Sequence, residues 1–145
     1  MATDVANEFE LLYSGRLWSL LSWQQLTDFW ARIDRGAGWY LYAVGEPLPL
    51  APATAEEVER FIAATDALLR KEHLHDYCGI VYADDLEAPR MVKIYDPNNL
   101  GVSCGFSKNP PPPGWVMSLV PPDELKRAGP LPEARKRWWR SLFER

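Results

Sequence analysis

Proline placement constrains this chain more than any other feature. Thirteen prolines gather mainly at 47–52, 110–113, 121–122 and 130–132. A proline has a fixed φ and no backbone N–H, so it can neither continue a helix nor donate to a sheet ladder. The run Pro110–Pro113 must therefore be extended, and the other clusters read as stiff connections between short elements. The segments between them are strongly apolar, which argues against disorder. With 145 residues, 47% of them hydrophobic and 25% charged, the chain has the size and balance of one soluble globular domain with a real core.

Periodicity assigns the segments. Residues 16–34 place Leu17, Leu20, Leu21, Trp23, Leu26, Phe29, Trp30 and Ile33 at three- and four-residue steps, which predicts a helix ended by Gly36 and Gly38. The run 39–44, WYLYAV, is β-branched and aromatic enough for a strand. Thr54 and Glu57 form a T-x-x-E capping box. The helix they open buries Val58, Phe61, Ile62, Thr65, Leu68 and Leu69, with glutamates in its first turns and Arg70 and Lys71 in its last. Two strands follow, at 80–82 and 91–95, joined as a hairpin through a polar turn of five or six residues. Asp96-Pro97-Asn98-Asn99 is a turn. Residues 101–106 fit a short strand or an ordered loop, and 115–120 fit the last strand. Pro132 suits the first position of a terminal helix in which Trp138/Leu142 and Trp139/Phe143 pair at i,i+4. The expected fold is α+β: a mainly antiparallel sheet of four or five strands, two main helices and a short C-terminal helix. Residues 1–125 are expected to form one compact domain and 126–145 a basic aromatic tail.

Charge is unevenly distributed. Residues 126–145 hold seven basic and two acidic residues, a balance of +5, whereas the other 125 stand at −9. Two destinations for the tail stay open: docking on the acidic body, or reaching an anionic partner. No broad basic face supports nucleic-acid binding. No apolar run is long enough to span a bilayer, and the acidic N-terminus lacks a signal-peptide core. With two cysteines in that context, the expected setting is the reducing cytoplasm, with free thiols.

Three constellations are candidates for chemistry or recognition. His73, His75 and Cys78 form H-x-H-x-x-C, to which Cys104 is a possible fourth member. Imidazole and thiolate suit zinc, but the spacing matches no established metal signature, and the plainer reading is a helix end followed by a buried cysteine. If a thiol is nucleophilic, Cys104 in its Ser-Cys-Gly loop is the better placed. P-loop, G-x-G-x-x-G, H-E-x-x-H and G-x-S-x-G motifs are all missing, and no cofactor is expected. The polyproline strap, with Pro111, Pro112 and Trp115, reads either as a docking surface or as a rigid cover over the protein's own tryptophans. In the tail, Arg135, Arg137 and Arg140 flank Trp138, Trp139 and Phe143 in the composition of a partner-docking helix. Deleting residues 132–145 is expected to leave the fold intact and abolish partner capture.

At KIYDPNNLGVSCG, PPPPGWVMS and LPEARKRWWRSLF, the chain resembles small uncharacterised bacterial proteins that accompany nitrogen-fixation genes. The resemblance covers about a third of the chain. It implies an accessory or regulatory partner of the nitrogenase system and carries over no functional residue. The leading expectation is thus a non-catalytic protein–protein interaction module. The alternative is a metal- or thiol-dependent enzyme or sensor using Cys78, Cys104, His73 and His75.

Overall fold

The computed structural model describes residues 4–99, 111–127 and 129–144. Cys104, Pro110 and the expected element at 101–106 lie outside the described residues. The fold is α+β. A five-stranded sheet has the order β1-β3-β4-β5-β2, with every neighbouring pair antiparallel. Its strands are β1 (Trp18–Ser19), β2 (Tyr40–Ala43), β3 (Val81–Ala83), β4 (Met91–Ile94) and β5 (Trp115–Ser118). The helices are α1 (Asp4–Ser14), α2 (Trp23–Arg32), α3 (Ala55–Glu72) and α4 (Glu133–Ser141).

The strand pleat divides the buried residues between two layers. One face presents Leu41, Ala43, Val81, Ala83, Val92, Ile94, Trp115 and Met117 to α2, α3 and α4, which add Leu26, Phe29, Val58, Phe61, Leu69 and Leu142. The opposite face gathers Tyr42, Met91 and Val116 around Phe9 of α1. Lys93 lies on this second face, with its ammonium 3.6 Å from the centre of the Tyr13 ring. Burial lowers its pKa, and the aromatic face supplies the attraction that water would otherwise provide.

The longest helix forms where its signals place it. Thr54 accepts from the Glu57 amide at 3.1 Å, and Glu57 accepts in return from the Thr54 amide at 2.9 Å. In the hairpin turn, Asp84 accepts from the Arg90 and Met91 amides and Asp85 from those of Glu87 and Ala88. These carboxylates shape a loop that runs from 84 to 90, longer than expected.

Two expectations are corrected. The helix expected over 16–34 is divided, because the backbone of Leu20 and Leu21 is engaged with Val81, Cys78 and Gly79 as a continuation of the β1 edge. Ser22 then starts α2 afresh, its hydroxyl accepting from the Gln25 amide. The second correction is α1, which was not anticipated. Its buried Phe9 and half-buried Tyr13 stack at i,i+4, with ring centres 5.7 Å apart.

Candidate functional site

The site grows from the way α4 is held. Arg135 is 7% exposed, and its guanidinium engages two carboxylates at once. Its Nε and Nη2 donate to Asp96 at 2.8 and 2.9 Å, and its Nη2 and Nη1 donate to Glu72 at 2.7 and 3.3 Å. These bonds hold the guanidinium firmly in its charged form. Trp138 lies on Trp115 at 5.1 Å, and Leu142 enters the main core. Arg135, Trp138 and Leu142 follow helical spacing, so one stripe of α4 anchors it to the sheet. The Arg60 guanidinium closes the far end by donating to the Leu142 carbonyl.

Space beside Asp96 is made by Gly114, where an added Cβ would lie 3.0 Å from the Asp96 Cβ. The end of the proline strap runs through this gap, with Pro113 and Trp115 buried and Pro111 and Pro112 half-buried. Of the strap's described residues, Pro113 and Trp115 are buried in the body, and Trp115 packs on Trp138. Trp115 and Arg135 face inward and Trp138, itself half-buried, packs on Trp115, so these three hold the helix in place. The tail is docked on the body.

The other side of α4 is different. Trp139 and Phe143 meet edge to face at 4.8 Å, and Trp139 also meets Phe61 at 6.0 Å. Both remain half-buried and, with Leu41, Pro47, Pro49 and Pro52, line an open groove of about 200 Å³. Arg140 stands at the rim, 3.8 Å from Glu46, and Arg137 is exposed. Leu50 is fully exposed on the same proline loop. The structure thus brings Trp139, Phe143 and Arg140 together with Leu41 and the 47–52 prolines. Those prolines read in the sequence as a connection only, since nothing local ties residue 49 to residue 139.

The histidines and Cys78 form a separate cluster at the end of α3. His73 is its C-cap, and its Nε2–H donates to the Cys78 carbonyl at 2.8 Å. The His73 ring lies 4.6 Å from that of His75 and edge-on to Trp23 at 6.0 Å. Cys78 is fully buried, and burial pushes its thiol pKa up, away from the reactive thiolate. Among the described residues, no three His, Cys, Asp or Glu side chains are placed to hold a metal ion. What the cluster does provide is a shallow depression of about 410 Å³ lined by Trp23, Arg70, His73, Leu74, His75 and Asp76.

Burial also lowers the His73 pKa below its ordinary value of 6.5. As pH falls through the unfolded value, the unfolded chain binds a proton that the folded chain refuses, so stability declines on acidification. The decline attributable to this residue is at most about 1.4 kcal/mol per pH unit. His73→Gln, which keeps a donor for the Cys78 carbonyl, is expected to flatten the loss between neutral and mildly acid pH, as read by urea unfolding.

Comparison of the chain with family models, with curated proteins and with solved structures finds no match. Among the described residues, no helix is long and apolar enough to cross a membrane.

Proposed function

We propose that this protein is a non-catalytic accessory or regulatory interaction module whose contact surface is the groove between α4 and the 47–52 prolines. The observation that carries this reading is the division of labour on α4. One stripe anchors the helix, while Trp139 and Phe143 stay half-open beside the exposed Leu50. Aromatic anchors in a preformed groove, with Arg140 next in the chain to Trp139, have the composition of interface hot spots. Arg137 and Arg140 suit an anionic patch on the partner. The resemblance at 93–105, 110–118 and 131–143 supports a partner within the nitrogenase system and a cytoplasmic setting.

The test is capture from bacterial cells grown on dinitrogen, with the full chain and its Trp139→Ala/Phe143→Ala variant as baits. Losing two hot-spot aromatics is expected to weaken binding by about 30-fold or more. A nitrogenase-system protein should therefore be retained by the parent bait and lost from the variant, with circular dichroism confirming that the variant is folded. Equal capture by both baits would remove the groove from the interface.

A further inference from the structure

The groove borders one edge of the sheet, and the strand register shows which backbone groups face it. The Val44 amide donates to the Gly114 carbonyl at 3.0 Å, and β2 pairs Tyr42 with Val116 and Tyr40 with Ser118. Hydrogen bonding alternates along an antiparallel pair. Tyr40, Tyr42 and Val44 therefore direct their N–H and C=O groups at β5, whereas Trp39, Leu41 and Ala43 direct theirs at the free edge. The Trp39 carbonyl accepts from the Ala53 amide at 2.8 Å, and the Ala43 carbonyl accepts from the Glu46 amide at 3.0 Å. These two bonds mark where the proline loop leaves the edge and where it returns. Between them, the N–H and C=O of Leu41 and the N–H of Ala43 have no partner among the described residues. Leu41 is only 4% exposed and Ala43 2%.

Buried backbone groups in that condition call for a partner. The loop that passes over them is poorly equipped to supply one, because Pro47, Pro49 and Pro52 have no N–H to give. The groove they help to line opens directly beside Leu41.

We infer that the occupant of the groove is an extended peptide segment of the partner, added as a short strand to the β2 edge at Leu41. This deepens the interaction reading above and rests on it. One residue of the segment donates to the Leu41 carbonyl and accepts from the Leu41 amide. Because that residue must donate, it is not proline, and a polyproline ligand does not fit the site. Residues directly opposite across a ladder share a face. Leu41 faces the helical layer, so the paired side chain enters the space lined by Trp139 and Phe143. A volume of about 200 Å³ accepts a single large apolar side chain. The bonds at Trp39 and Ala43 confine the pairing to this one position, so specificity resides in that side chain and the ladder supplies register.

The experiment selects ligands from a random linear peptide library displayed on phage, using the full chain, and follows the best synthetic peptide by ¹⁵N NMR. The expected result is an apolar consensus residue, slower exchange of the Leu41 amide in the complex, and about tenfold weaker binding when that residue alone is N-methylated. N-methylation one residue to either side should have little effect, because those amides point away from the edge. Trp139→Ala should also weaken the peptide, and Pro49→Ala, which leaves the core untouched, serves as a second groove variant. Peptides that depend on Trp139 yet leave Leu41 exchange unchanged would overturn strand addition while the interaction reading stands. A library yielding no ligand sensitive to Trp139 or Pro49 would also overturn it. Loss of the cellular partner's dependence on Trp139 and Phe143 would instead remove the reading beneath it.

Discussion

Arg135→Met is expected to destabilise the fold by about 3–5 kcal/mol, the range for breaking a buried ion pair from one side. The methionine fills much of the space but leaves Asp96, itself 7% exposed, without its counter-charge. Among the described residues Asp96 then keeps the Asn98 amide, 2.9 Å away, as its one donor. Glu72 loses both of its bonds to the guanidinium as well. A lysine at 135 keeps the charge but cannot form two forked pairs, so it should recover only part of the loss. Adding Asp96→Asn to the methionine variant removes the stranded charge and should restore stability relative to the single variant. Urea unfolding of the parent chain, Arg135→Met, Asp96→Asn and the double variant measures this coupling directly. A loss for Arg135→Met below about 1 kcal/mol, the value of an exposed pair, would contradict the burial of this centre.

This centre also shows where sequence reading stops. Thr54 and Glu57 act within one helical turn, and so the start of α3 was legible from four letters. The turn at 96–99 was legible for the same reason, since Asp96 bonds the Asn98 amide two residues on. The strands at 40–43, 81–83, 91–94 and 115–118 were placed within a residue or two, and a mainly antiparallel sheet followed from a run of strands after a single crossover helix. The division of 16–34 was not legible, because its apolar period continues unbroken through Ser22 while the competing strand pairing comes from residues 78–81. Arg135 read as one of the arginines of a partner-docking helix, because the carboxylates that hold it lie 39 and 63 residues away. The groove was half-legible. Trp139 and Phe143 stood out by composition, but their neighbours at Leu41 and Pro49 are joined to them only by the folded chain.

The same packing reverses the expected outcome of deleting residues 132–145. Such a truncation removes Arg135 together with Leu142, which belongs to the main core, and uncovers Trp115 by taking away Trp138. Emptying a buried leucine site alone costs about 2–5 kcal/mol, and stranding the Asp96 carboxylate about 3–5. These two losses act at separate ends of α4, so they accumulate to much of the roughly 5–15 kcal/mol that stabilises a whole domain. The truncated chain is therefore expected to lose near-ultraviolet circular dichroism and cooperative urea unfolding at room temperature. A sharp unfolding transition close to that of the full chain would show that α4 is dispensable to the fold. Partner capture lost on truncation would accordingly report unfolding as readily as a missing contact. Substitutions confined to Trp139 and Phe143 separate the two, because they leave Arg135, Trp138 and Leu142 holding the helix on the sheet.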